Sequence, residues 1–349
     1  MTVAVSIGGR EVGPGAPVFI IAEAGVNHDG DVQRAHSLVD VAADAGADAV
    51  KFQTFQADAL AAADAPRAAY QAGRLGDEPS QHSMLKRLEL PHEEWSRLRD
   101  HARGRGITFL STPFDEGSLD LLVKLGIPAI KIGSGDLTNL RLIRRAASAG
   151  VPILCSTGMA TLGEVANAVA AVREASGSIV LLHCVSSYPA PESSANLRAI
   201  PTLARVFDVP VGYSDHTTGR RAALAAAALG AVMVEKHFTT DRSLPGPDHR
   251  ASLEPDDLKG LVEDIRAVES ALGDGRKTPR GEELDTRAVA RRSLAWTRDL
   301  AAGHLVTEAD VIAKRPAGGI APDREDLVLG RRLRSAVHAD TFVRLDVLA

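Results

Sequence analysis

The feature that most constrains this chain is an alternation. Eight short apolar runs rich in Val and Ile are separated by longer segments, most of them Ala-rich and amphipathic. The runs are VFIIA from Val18, DAVKFQ from Asp48, ITFLS from Ile107, PAIKIG from Pro128, PILCS from Pro152, IVLLHC from Ile179, VPVGYS from Val209 and VMVEKH from Val232. Runs that are apolar on both faces read as parallel strands covered by crossover helices, and segments such as DVQRAHSLVDVAADAG and TLGEVANAVAAVREA supply those helices. Eight units in roughly 270 residues predict an α/β fold of the closed (β/α)8 TIM-barrel kind. An open doubly wound sheet fits less well, because it usually has five or six strands and opens on a Gly-rich dinucleotide turn, and no GxGxxG follows the first run.

The gap between the second and third runs is about twice the others. It contains DAPRAAYQAGRLGDEPSQHS, which reads as an insertion over the barrel mouth. The last barrel helix is expected to end near Leu272, giving a barrel domain over 1–272. A polar linker over 273–290 opens with GDGRKTPRGEELD, and a small module spans 291–349. Its pattern is strand-like and short: SLAWT, a DLAAGHLVT turn, DVIAKRP, LVLGRRL and TFVRLDV. About 60 residues of this kind form a β-rich domain that is marginal alone and gains stability by docking.

The net charge of −5 argues against a nucleic-acid or anionic-membrane partner, since both select a basic surface. The tail from Arg280 onward carries 12 Lys plus Arg against 11 Asp plus Glu and is no basic arm. No stretch approaches the roughly 18 apolar residues of a membrane span, and the first residues lack a secretory pattern, so a cytoplasmic protein is expected. The two cysteines, Cys155 and Cys184, lie inside apolar runs. They read as small buried hydrophobes in a reducing compartment.

A barrel of this type builds its active site at the C-terminal ends of its strands, so the informative residues are polar ones that follow apolar strand cores. In chain order these are Glu23, Asn27 and His28; Lys51 and Gln53; Ser111 and Thr112; Lys131, Ser134 and Asp136; Ser156 and Thr157; Ser186 and Tyr188; Ser214, Asp215 and His216; and Glu235, Lys236 and His237. Any one of them could simply meet water. Two lysines on separate strands with a ring of hydroxyls, however, describe an anion site, because Lys supplies a point charge and hydroxyls supply directional donors. His216 and His237 end adjacent strands, so their imidazoles can converge either on a divalent ion such as Mn, Co or Zn or on each other. His28 and His183 compete for that role, although His183, inside LLHC, reads as a satisfied core histidine.

The strings IAEAGVNHDG, KFQTF, STPFD, KIGSGD, STGM, YPAP, GYSDHT, EKHFT and LPGPDH, in this order, resemble the bacterial sialic and legionaminic acid synthases. The KRPAGGI tail resembles the antifreeze-like (SAF) module of those enzymes. The resemblance implies phosphoenolpyruvate held by Lys51, Gln53, Thr112, Lys131, Ser134, Ser156, Ser186 and Ser214. It implies a divalent metal, usually Mn with Mg or Co as alternatives, on His216 and His237. Glu23 matches the catalytic carboxylate, and Asp136, Tyr188, Asp248 and Arg315 match positions facing the acceptor sugar. The resemblance also implies a domain-swapped homodimer in which the antifreeze-like module of one subunit brings Arg315 to the barrel of its partner. Asp136 stands where the sialic acid branch often has Glu, and Ser186 where some members have Asn, which leaves the exact acceptor open.

The expected activity is therefore condensation of phosphoenolpyruvate with an acylamino-sugar aldehyde, N-acetylmannosamine or a 2,4-diacetamido-trideoxy analogue. The alternatives are another barrel synthase with a different sugar, or a pyruvate aldolase that uses a lysine Schiff base and no metal. An ice-binding or surface-binding protein is a third reading of the tail, but it would need neither buried lysines nor paired histidines.

Overall fold

The computed structural model describes residues 3–66 and 80–349. The expected insertion therefore falls in large part on residues outside the described ones. The chain forms two compact units, Met1–Gly273 and Asp274–Ala349.

The first unit opens with a hairpin, β1 (Val5–Ile7) and β2 (Arg10–Val12), that the strand pattern did not single out. Gly8 and Gly9 make its two-residue turn with φ of +58° and +84°, the conformation that favours glycine in such turns. Eight parallel strands follow: β3 (Phe19–Gly25), β4 (Ala49–Thr54), β5 (Thr108–Pro113), β6 (Ile130–Ile132), β7 (Ile153–Ser156), β8 (Ile179–Cys184), β9 (Val211–Asp215) and β10 (Met233–His237). Each lies within one of the eight apolar runs or extends it by one to three residues. Their spatial order is β5-β4-β3-β10-β9-β8-β7-β6. The end strands β5 and β6 also pack side by side, so the sheet curls into a TIM barrel whose last seam is packed without a ladder.

The helices around the sheet are α1 (Val32–Asp44), α2 (Ala57–Leu60), α3 (Gln81–Leu88), α4 (Glu94–Gly104), α5 (Glu116–Leu125), α6 (Leu140–Ala147), α7 (Leu162–Glu174), α8 (Ala199–Phe207), α9 (Arg221–Ala228) and α10 (Pro255–Leu272). Their starts are written in the sequence. Asp31 accepts from the backbone of Gln33 and Arg34 to cap α1, and Thr161 with Glu164 forms a capping box on α7.

Strand alternation then sorts every side chain into one of two layers. Ile20, Ala22, Val50, Phe52, Phe109, Ile130, Ile132, Ile153, Leu181, Tyr213 and Val234 point outward into the large core beneath the helices. Their neighbours Phe19, Ile21, Ala49, Leu110, Leu154, Leu182 and Met233 point inward and fill the lower barrel, with Ile7 and Val12 of the hairpin packed among them. One step further up each strand the inward positions become Glu23, Lys51, Thr112, Lys131, Ser156, Ser214 and Glu235, all buried. The apolar floor excludes water below, and the polar layer above it is the site.

The second unit has a helix, α11 (Leu284–Ala290), within the stretch read as linker. Two antiparallel strands follow, β11 (Ser293–Trp296) and β12 (Val311–Lys314), over a core of Leu294, Trp296, Val306, Val328, Leu333 and Val343. LVLGRRL and TFVRLDV, expected as strands, contribute single bridges such as Leu333 to Leu348 and Ala295 to Phe342. Gly330, at φ +75°, interrupts the first of them.

Candidate active site

At the C-terminal ends of β3, β4, β6 and β10, two lysines and two glutamates share one buried layer. Lys51 pairs with Glu23 at 2.5 Å and reaches Glu235 at 3.6 Å, while Lys131 reaches Glu235 at 3.7 Å. Lys51 also donates to the Thr112 hydroxyl at 3.1 Å, and Ser214 donates to Glu235 at 2.8 Å. Gln53 donates to Glu23 at 3.4 Å. All four charged side chains are at most 5% exposed, so each charge must be met by another.

The two carboxyls are driven apart. Burial pushes Glu23 up to about 7, a rise that Lys51 opposes and Glu235 reinforces. Burial would raise Glu235 as well, but Lys131 and Lys51 together hold it down at about 2. Glu235 thus stands between Lys51 and Lys131 as the acid that both lysines reach, while Glu23 pairs with Lys51 alone. Lys51 itself is held above the ordinary lysine value, burial being outweighed by Glu23 and Glu235. That favours an ammonium over the neutral amine a Schiff base requires.

Hydroxyls line the next positions. Ser134 accepts from the Gly158 backbone at 3.0 Å, and a Cβ at Gly158 would lie 2.3 Å from the Ser186 oxygen and 2.7 Å from that of Ser134. The Ser156 and Ser186 oxygens are buried and have no partner among the described residues. Unpaired buried hydroxyls beside two lysines are donors ready for an anion.

Above this layer His216, His237 and Tyr188 form a triangle of rings, with centroids 5.5 Å apart for the histidine pair and 4.1 Å and 6.0 Å from Tyr188. His216 Nδ1 lies 2.9 Å from the Val185 carbonyl. A carbonyl can only accept, so Nδ1 carries a proton and Nε2 is the nitrogen left to bind in the neutral ring. Burial would lower the His216 pKa, but Cys184, the Val185 carbonyl and Glu235 outweigh it and hold it above the ordinary imidazole value. Burial, reinforced by His216 and Lys51, holds His237 well below the ordinary imidazole value, and its Nδ1 has no partner among the described residues. Of the competitors, His28 has Nδ1 engaged by the Gly30 backbone at 3.0 Å, and His183 sits 2.8 Å from the Ala195 carbonyl, facing the outer layer.

Asp248 is buried at the rim, its carboxyl pushed up to about 6 by burial, which nearby His216 and His249 oppose. Its loop is tied down on both sides. Asn27 donates to the Phe238 carbonyl at 2.7 Å and to Ser252 at 2.9 Å, Ser252 donates to the Asp248 carbonyl, and His249 lies 2.9 Å from Asp29. A cavity of about 270 Å³ opens here, with Gln53, Tyr188, His237 and Asp248 on its polar side.

Not every candidate joins this group. Asp136 accepts from Asn139 at 3.3 Å and is not among the cavity's lining residues. Arg315 lies exposed in the second unit. Ser111, Asp215 and Lys236 fall on outward strand positions and Thr157 lies just past the end of β7: Ser111 bonds Thr54 at 2.7 Å, Thr157 donates to the Leu182 carbonyl, and Lys236 pairs with Asp215 at 2.7 Å. Glu235 was noted only as a strand-end residue, yet it bridges both lysines. The signal for it was its spacing two residues before His237, which puts both on one face. Cys184 also departs from the plain hydrophobe expected, lying 3.6 Å from both Ser134 Oγ and His216 Nδ1.

The NeuB family pattern matches residues 38–277, and the SAF domain pattern matches 291–349. The chain belongs to the NeuB family. Among its NeuB relatives, the N,N'-diacetyllegionaminic acid synthase of Legionella pneumophila is 47% identical over 93% of this chain and 92% of that protein. The enzyme of the same name from Campylobacter jejuni is 43% identical over 93% and 98%. Among solved structures, the N-acetylneuraminic acid synthetase of Leptospira borgpetersenii, in complex with citrate, matches with a TM-score of 0.73 and 37% identity over 82% of this chain and 95% of that one. The chain is thus an enzyme with a NeuB barrel and a SAF domain, and among the described residues no helix is long and apolar enough to cross a membrane.

Proposed function

We propose that this NeuB-family enzyme condenses phosphoenolpyruvate with the open-chain aldehyde of an acylamino hexose, giving a nine-carbon 2-keto sugar acid and phosphate. The observation that carries the reading is the buried cluster of Lys51, Lys131, Glu23 and Glu235 beside the unpartnered Ser156 and Ser186 hydroxyls. Its two lysines and the hydroxyl donors beside them suit a small molecule bearing both a carboxylate and a phosphate. The names of the legionaminic and N-acetylneuraminic acid relatives support the same chemistry.

Lys51, Lys131, Gln53, Thr112, Ser134, Ser156, Ser186 and Ser214 would hold phosphoenolpyruvate, and Tyr188 and Asp248 the acceptor. C3 of phosphoenolpyruvate bonds to the aldehyde carbon, and the aldehyde oxygen takes a proton. Water then adds at C2, and the C2–O bond to the phosphate breaks, releasing phosphate and leaving a ketone. Glu23, on the cluster's floor with a carboxyl poised near neutrality, gives and takes the protons of these steps.

His216 and His237 would hold a divalent ion, Mn or alternatively Mg or Co. The residues fit such a group: with His216 Nδ1 hydrogen-bonded to a carbonyl, Nε2 is the nitrogen that would ligate, and the incompletely partnered His237, held neutral by burial, is its neighbour. Among the described residues no group of three or more His, Cys, Asp or Glu gathers there, so water and substrate oxygens would complete the shell. Such an ion supplies Lewis acidity to the aldehyde oxygen.

The test is phosphate release from phosphoenolpyruvate with a panel of acylamino hexoses. Release should stop in excess chelator and return with Mn. Full turnover in chelator would sink the metal assignment, and a borohydride-trapped pyruvate adduct would favour the aldolase instead.

A further inference from the structure

Behind the two histidines lies an ion pair that solvent does not reach. Lys236 and Asp215 meet at 2.7 Å with both side chains fully buried. They are register partners on β10 and β9, and they point away from the lysine and glutamate layer into the outer core that holds Tyr213, Val234 and Phe238. Charge in such a place is costly, and replacing a buried ion pair with apolar side chains is often neutral or stabilising. Packing alone therefore does not call for this pair.

What the pair holds is the peptide after His216. Asp215 accepts from the Thr217 backbone N–H at 2.8 Å, and Lys236 donates to the Thr217 carbonyl, so both backbone groups of that residue are engaged. The His216 carbonyl in turn accepts from the Ala190 N–H at 2.8 Å, and its ring Nδ1 faces the Val185 carbonyl at 2.9 Å. Asp215 directly precedes His216, and Lys236 directly precedes His237. One lysine thereby ties the backbone that carries the first imidazole to the strand that carries the second, beside the point where the two rings stand 5.5 Å apart.

We propose that Asp215 and Lys236 are positioning residues that set the separation and aim of His216 and His237 for a divalent ion. The proposal rests on the metal reading above. Residues that orient ligands without touching the ion change metal affinity by about 10- to 100-fold, whereas a pair that only supports the barrel changes folding.

The test is Mn binding by the chelator-treated full-length protein, read from the electron paramagnetic resonance signal of the free hydrated ion. Two double variants remove both buried charges at once, so that neither partner is left stranded. Asp215→Val with Lys236→Met loses both holds on Thr217 and should bind Mn about 10- to 100-fold more weakly than the parent. Asp215→Asn with Lys236→Met keeps an acceptor for the Thr217 N–H and should fall between the two. Circular dichroism of both should match the parent, and the KM for phosphoenolpyruvate at saturating Mn should stay within about twofold, since neither side chain faces the lysine cluster. Three results would overturn the positioning role while leaving the metal site standing: parent-like Mn affinity in every variant that folds, a KM for phosphoenolpyruvate that rises as much as Mn affinity falls, or loss of the fold in both variants. His216→Ala tests the metal reading separately. Parent-like Mn binding by that variant, or no binding by the parent, would overturn the metal site itself and the positioning role with it.

Discussion

Gly158 shows how tightly the proposed anion site is drawn. Its missing Cβ is the space in which the Ser186 and Ser134 hydroxyls and the Cys184 sulfur approach one another, at 2.3, 2.7 and 3.2 Å from where that carbon would sit. A methyl there displaces side-chain tips and not backbone, so Gly158→Ala should fold with a melting temperature close to that of the parent. The displaced hydroxyls are two of the donors assigned to phosphoenolpyruvate, so its KM should rise by roughly tenfold or more, in keeping with the loss of a hydrogen bond to a charged group. An unchanged KM for phosphoenolpyruvate, measured at saturating acceptor, would remove Ser134 and Ser186 from the anion site. At this scale the sequence was legible wherever parity along a strand was applied. Lys51, Gln53, Lys131, Ser156, Ser214 and His237 share the inward register, whereas Lys236, next to two site residues and just as polar, faces outward to Asp215. Glu235 and Cys184 needed distances, because their roles come from contacts between strands far apart in the chain.

Among the elements, the eight barrel strands could be read because both-face burial makes each a continuous apolar run. The N-terminal hairpin was within reach through its Gly-Gly turn, but three-residue strands are too short to show alternation. The second unit was harder, since single bridges have no period and its order depends on side-chain caps. Asp310 is the chief of these. Its buried carboxylate accepts from the Thr307 backbone and hydroxyl at 2.9 and 2.8 Å, from Arg298 at 2.8 Å, and lies 2.8 Å from His304. Burial would raise its pKa, but the bonds from His304, Arg298 and Thr307 outweigh it and hold the carboxyl far below the usual range. A carboxyl depressed in the folded state stabilises fully above its unfolded value near about 4, and that stability is lost as pH falls below it. Asp310→Asn should therefore unfold the second unit at lower urea at pH 7, with the difference from the parent narrowing below about pH 4. Trp296, in that unit's core, reports the transition by fluorescence once the other tryptophan is removed by Trp95→Phe. A gap independent of pH would mean that Asp310 acts by shape and not by charge.

For the molecule as a whole, the question is whether one chain holds a complete site. Glu23 and the lysines lie in the barrel unit, and Arg315 lies exposed in the SAF unit. We propose that Arg315 serves the barrel of a second copy, giving the acceptor a planar, always-charged donor that water would otherwise replace. Mixing chains then separates the arrangements. An Arg315→Ala chain and a Glu23→Ala chain should each be nearly inactive alone. In a mixed dimer, one site combines both defects, while the other takes Glu23 from the first chain and Arg315 from the second and has neither. With equal amounts and free exchange, half the dimers are mixed and half their sites are intact, so activity should return to about a quarter of the parent. If Arg315 served its own barrel, every site in every dimer would carry one defect and no activity would return. Subunit exchange is followed in the same samples with two fluorescent labels. Exchange without rescue rejects the shared site, and rescue near a quarter establishes that each site is built from two chains.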